Sequence, residues 1–245
     1  PMTKKLIIAE KPSVANELAK YLGHAKREDG YILVGNYRVT WCFGHLLTLA
    51  EPHVYDEKYK TWPAPDLPIL PEHIRIIAKE DKGVRKQLKV IGDLLKQADD
   101  VIHAGDPDRE GQLLVDWVLQ HHKNRKPVKR LWLAAQDSAS IQKALRQLQN
   151  NQNYQPLFAA AQTRSIADWL VGMNLSRAYS LRYDDHLSVG RVQTPTLALV
   201  VQRDLDRSLA FEQVSPRQHL VEQHAGGVQH TLLAPGARVV GVDQH

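Results

Sequence analysis

Apolar positions along the first 150 residues follow two alternating rhythms. Leu6-Ile7-Ile8-Ala9 and Val101-Ile102-His103-Ala104 are short, nearly continuous apolar runs, the pattern of strands buried on both faces of a sheet. Residues 31–34 and 37–43 flank Gly35-Asn36 and predict a hairpin. Residues 74–78 and 130–133 are further strand candidates. Between these runs the spacing turns helical. A helix is predicted over 14–22, capped by Ser13 and stopped by Gly23. Val84, Leu88, Ile91 and Leu95 share one face of a helix over 82–97, and two more helices are predicted over 109–122 and from Asp137 or Ser138 to 148. Pro52, Pro63, Pro65, Pro68 and Pro71 make 51–71 an ordered surface loop.

Strands alternating with helices argue for an α/β domain over 1–150 with a mostly parallel sheet flanked by helices. Residues 151–206 carry no strand signal and read as an incomplete helical domain, broken at 184–191. Residues 207–245 lack Lys, Tyr and Trp, show little periodicity, and are expected to be poorly packed.

Composition narrows the classes. With 43% hydrophobic and 24% charged residues, the 245-residue chain can bury a core, which excludes whole-chain disorder. Cys42 is the only cysteine, so an internal disulfide and a cysteine-based zinc cluster are excluded, and a reducing cytoplasm is expected. No apolar run approaches the roughly 18 residues needed to span a membrane. The net charge of +5 is concentrated in residues 1–150, which hold 24 Lys and Arg against 19 Asp and Glu. A basic excess suits a polyanionic partner, although many soluble proteins are as basic.

Two buried runs end in acid. Ile7-Ile8-Ala9 leads into Glu10, and Ile102-His103-Ala104-Gly105 leads into Asp106, with Asp108 and Glu110 close behind. In open α/β sheets, sites form beyond the carboxyl ends of strands. If the two strands are neighbours, Glu10, Asp106 and Asp108 converge. Crowded carboxylates repel one another unless a cation or proton intervenes, and hard oxygen ligands suit Mg2+. Lys11 and Arg109 stand beside these acids and could contact a phosphate. The implied chemistry is phosphoryl transfer on a phosphodiester. The alternative is a solvated turn, because acids at helix N-termini are common for dipole reasons alone.

The motifs IAEKPSVA at 8–15, AGDPDREGQLLVD at 104–116 and LSVGRVQTPTLALVVQRD at 187–204, supported by TWCFGHLL at 40–47 and DLPILP at 66–71, resemble the type IA DNA topoisomerases, most of all the bacterial topoisomerase III branch. The resemblance covers residues 3–206. It implies a Toprim domain for 1–150 and, for 151–206, the start of the helical domain that lines a single-stranded DNA groove. It also implies Mg2+-dependent, ATP-independent cleavage, strand passage and religation through a 5′-phosphotyrosine, in a cytoplasmic protein. Glu10 matches the family's catalytic glutamate, which handles the proton of the leaving 3′-oxygen, and Lys11 its active-site lysine. Asp106 and Asp108 match the Mg2+ ligands, with Glu110 and Glu10 as further candidates. For DNA contact the family points to Ser188, Val189, Gly190, Arg191, Val192 and Gln193, with Trp62, Trp169, Arg177 and Arg182 at matching places. Trp169 reads equally as core or groove, and Arg164 and Asp168 are spaced to pair along a helix. His45 and His103 read as structural.

One element of the pattern has no counterpart. The family's nucleophilic tyrosine follows the SVGRVQTP segment, whereas the last tyrosine here is Tyr183, before it. Two readings follow. The chain is the N-terminal part of a topoisomerase whose remaining domains are its partner, inactive alone; or it is a stand-alone Toprim module that binds Mg2+ and single-stranded DNA without catalysis. A nuclease or primase using the same acids is a third reading, opposed by the SVGRVQTP loop.

Overall fold

The computed structural model describes residues 3–62 and 64–214. They divide into two compact units, one of residues 3–60 and 71–167, the other of 61–70 and 168 onward. The first unit contains, in chain order, β1 (Lys5–Ala9), α1 (Pro12–Leu22), β2 (Ala25–Glu28), β3 (Tyr31–Val34), β4 (Tyr37–Trp41), β5 (Leu47–Leu49), β6 (Ile76–Ala78), α2 (Lys82–Gln97), β7 (Asp100–Ala104), α3 (Arg109–His121), β8 (Val128–Arg130), α4 (Ser138–Arg146) and β9 (Gln149–Asn150). Helix α5 (Gln155–Tyr183) starts in this unit and ends in the second, which also holds α6 (Gln193–Val214).

The main sheet runs β2-β3-β4-β1-β7-β8-β9, while β5 and β6 pair separately. Its centre is parallel: β1 pairs with β4 and β7, and β7 with β8. The edges are antiparallel. This is the mostly parallel α/β arrangement that the alternating pattern predicts. Leu6, Ile7 and Ile8 of β1 have no solvent exposure, which explains their unbroken apolar run. Each such side chain contributes about 1.5–3 kcal/mol by burial. On α2, Val84, Leu88, Ile91 and Leu95 are all buried, and the Asp81 side chain caps the helix by accepting from the Val84 amide.

Several boundaries differ from the sequence reading, each for a physical reason. Helix α1 starts at Pro12, not after Ser13, because Pro at the first helical position costs no hydrogen bond; Lys11 then occupies the N-cap. Strand β2 carries no strand signal in the sequence, since Ala25-Lys26-Arg27-Glu28 is a largely exposed edge without apolar alternation. Strand β8 lies two residues earlier than expected and α4 ends at Arg146. The break between α5 and α6 falls at 184–192, and α6 continues through Val214. The poorly packed tail expected over 207–245 lies, from 215 on, outside the described residues.

Candidate functional site

The register Ala9↔Ala104 places the ends of β1 and β7 side by side. Glu10 and the Gly105-Asp106 turn therefore leave the sheet together, as the strand-end argument requires. The Asp106 amide donates to Glu10 Oε2 at 2.9 Å, and Lys11 Nζ donates to Asp106 Oδ2 at 2.7 Å. The tight entry into α1 at Lys11-Pro12 holds Glu10 and Lys11 on this edge.

Asp108 closes the other side of the turn. Its backbone amide donates to the Asp106 carbonyl at 2.8 Å, and its Oδ1 caps α3 by accepting from the Gly111 amide at 2.7 Å. The capping role that the solvated-turn alternative expects is thus realised at Asp108: one of its carboxylate oxygens serves the helix. Glu110 sits in the first turn of α3 with His45 Nε2 3.7 Å from its Oε2.

Two glycines make the convergence possible. A Cβ at Gly111 would stand 2.5 Å from both the N and O of Asp106 and 2.7 Å from Glu10 Oε2. A Cβ at Gly105 would stand 2.2 Å from the Gly111 carbonyl oxygen. No side chain fits at either place, so the DPDREG spacing is a packing requirement as well as a chemical one.

Electrostatics follow from the crowding. Burial raises the Glu10 carboxyl above its ordinary range, and the charges of Asp106 and Asp108 add to it, against the Asp106 amide and Lys11. The hydrogen bond to Asp106 raises the Lys11 ammonium, which stays charged. Burial pushes the Cys42 thiol far up, leaving it an inert core group.

Beneath the turn lies a buried polar network that sequence reasoning missed. Arg130 has no solvent exposure; its Nη1 donates to the Gly105 carbonyl and its Nη2 to the Asp106 carbonyl, each at 2.8 Å. Its Nε donates to Gln112 Oε1 at 2.8 Å, and Gln112 Nε2 donates to Asp116 Oδ2 and Asn151 Oδ1. Asn151 Nδ2 in turn donates to Asp116 Oδ1 at 2.8 Å. Burial lowers the Arg130 guanidinium to about 10 and raises the Asp116 carboxyl. His103, fully buried, accepts from the Gly105 amide through Nδ1 and faces the Gln112 carbonyl through Nε2, which fixes the neutral tautomer with its proton on Nε2. The only sequence signal was an arginine inside a strand pattern, which alone does not reveal a partner.

Among the described residues, no three His, Cys, Asp or Glu side chains gather at metal-binding spacing. The donor type suits Mg2+, since Glu10, Asp106 and Asp108 offer hard carboxylate oxygens close enough to act on one another electrostatically, and an ammonium group already balances Asp106. Asp106 and Asp108 are the residues that would hold the ion, Glu10 lies adjacent, and Glu110 faces His45.

In the second unit, residues 184–192 join α5 to α6. Ser176 and Ser180, one helical turn apart, fasten this loop: Ser176 Oγ pairs with the Val189 amide and carbonyl, and Ser180 Oγ with those of Leu187. Arg191 forms an ion pair with Asp168, and Gln193 Nε2 donates to Ser188 Oγ at 2.9 Å. Asp168, Gly172, Val189, Gly190, Arg191 and Gln193 line one open cleft. Arg177 is buried with its guanidinium 5.3 Å from the Trp62 ring centroid, and His186 meets the same ring edge-on. Arg182 lies over Tyr183, and Trp169 sits on α5.

A Toprim domain model matches residues 5–136 and a DNA topoisomerase model matches residues 152–214. DNA topoisomerase 3 of Haemophilus influenzae is 47% identical over 213 residues, covering 82% of this chain and 32% of that protein. That of Vibrio cholerae is 48% identical over 211 residues, and that of Bacillus subtilis 38% over 207. The chain thus spans about a third of the length of these relatives. Full-length topoisomerase I of Thermotoga maritima shares the fold, with a TM-score of 0.55 at 24% identity, over 81% of this chain and 30% of that one.

Proposed function

The chain belongs to the type IA DNA topoisomerase family, and from that premise we propose that its acid-lined strand edge is the Mg2+-bearing half of a DNA cleavage and religation site. The observation that carries this reading is the junction of Glu10, Lys11 and Asp106, in which three groups from two parallel strand ends are held within hydrogen-bonding distance.

Each group has a role its environment supports. Glu10, with its carboxyl raised by burial, holds a proton more readily than an ordinary glutamate and delivers it to the leaving 3′-oxygen. Lys11 stabilises negative charge on the scissile phosphate. Asp106 and Asp108 hold Mg2+, which supplies charge neutralisation to the phosphodiester when bound. The loop at Ser188–Gln193 guides single-stranded DNA through Arg191, Gln193 and backbone groups, with Trp62, Trp169, Arg177 and Arg182 as supporting positions. Glu110 serves as an outer carboxylate.

The attacking tyrosine is the part this sequence does not supply in a matching motif. The last tyrosine, Tyr183, ends α5 and stacks on Tyr179. We therefore propose that the remaining two thirds of a topoisomerase III provide the nucleophile. The same observation favours a second reading, a Toprim module that binds Mg2+ and single-stranded DNA without cutting it.

Incubation with end-labelled single-stranded DNA and Mg2+, stopped with SDS, tests the assignment. The chain alone is expected to give no covalent protein–DNA band, and no free cut ends. A covalent band would show that one of its own tyrosines attacks; free ends would make it a nuclease.

A further inference from the structure

Strand β8 runs parallel to β7, so the residues that follow it emerge at the same edge as the acid turn. Trp132 is the second residue beyond β8 and is 38% exposed. Its ring stacks on Tyr154, with centroids 5.1 Å apart and planes 18° from parallel. Both rings share one buried cation: the Arg130 Cζ lies 4.9 Å from the Trp132 centroid and 5.7 Å from that of Tyr154. That guanidinium also donates to the Gly105 and Asp106 carbonyls. A single side chain thus separates an exposed aromatic stack from the acid turn.

The surroundings suit a polyanion carrying flat rings. Residues 134–139 after Trp132 are exposed and mostly small, and Gln152 and Asn153 before Tyr154 present exposed side-chain amides. Asp137, whose carboxylate caps α4, is the one acid in this stretch, and from 138 to 167 the sequence has no Asp or Glu. Stacking on an aromatic platform is how unpaired bases are held without regard to sequence. A cation against the rings polarises them, and Arg130 anchors them to the loop carrying Asp106.

We propose that the Trp132–Tyr154 stack is a base-stacking subsite for single-stranded DNA, seating one unpaired base beside the phosphate that lies over Glu10, Lys11 and Asp106. This rests on the single-stranded DNA reading of the acid site. Arg130 is then a positioning residue that keeps the base platform and the acid turn in one register.

The test uses the full chain and oligodeoxynucleotides bearing 5-iodouracil. Irradiation is expected to join the DNA to the peptides containing Trp132 or Tyr154, as mapped by mass spectrometry. In fluorescence anisotropy, Trp132→Ala is expected to weaken binding by roughly tenfold or more, the order that loss of one base stack gives, while Trp132→Phe retains most of it. Cross-links confined to other peptides, unchanged binding by Trp132→Ala, or equal losses in Trp132→Ala and Trp132→Phe would each overturn the subsite and leave the acid-site reading standing. Absence of any binding by the unmodified chain would remove both. If Trp132→Ala does not fold, the cross-link map of the unmodified chain decides.

Discussion

His103 shows at the scale of one residue how the site is held. It lies on β7, without solvent exposure, under the turn that carries Asp106. Burial, with Arg130 nearby, holds its imidazole well below the ordinary histidine range. The unfolded chain takes up this proton near pH 6.5, while the folded chain does not until much lower. Between those values the unfolded state binds more protons, so stability is full above about pH 6.5 and is lost as pH falls. Urea unfolding from pH 7 to 5 is expected to show a decline of at most about 1.4 kcal/mol per pH unit from this group. His103→Gln should flatten that slope; an identical slope in the variant would show that His103 titrates freely. The sequence reading of His103 as structural stopped short of this, because the Gly105 amide and Gln112 carbonyl that fix its tautomer become neighbours only through the fold.

Between elements, the decisive fit is the first turn of α3 against the turn that follows β7. Gly111 allows the helix to approach Asp106 and Glu10 more closely than any side chain permits. Gly111→Ala is expected to push the turn away from Glu10, cost about 1–3 kcal/mol in thermal or urea unfolding, and weaken the response to Mg2+. Wild-type stability in the variant would mean that the turn is looser than the geometry shows. Here the sequence was largely legible. The two buried runs, the capping acid at Asp108 and the amphipathic α2 were readable because their causes are local: continuous apolarity, a capping side chain, a 3.6-residue period. What stayed hidden is nonlocal. Arg130, Gln112, Asp116 and Asn151 are polar residues spread over 40 positions, and nothing in their spacing says that they meet in the interior. Strand β2 is illegible for the opposite reason, since an exposed edge strand needs no apolar pattern.

Across the whole molecule, the two parallel strand ends bring into one place the residues that the family resemblance assigns to acid, lysine and metal roles, and the second unit carries the SVGRVQ loop fastened to α5 by Ser176 and Ser180. None of the helices in the described residues is long and apolar enough to cross a membrane. We propose that Asp106 and Asp108, beside Glu10, form a cation site although Lys11 balances Asp106. Thermal unfolding with and without Mg2+ tests it most directly, comparing the unmodified chain with Asp106→Ala/Asp108→Ala. Mg2+ is expected to raise the Tm of the unmodified chain and to leave that of the variant unmoved, because an ion that binds only the folded site stabilises by mass action. Equal shifts in both proteins, or none in either, would contradict it.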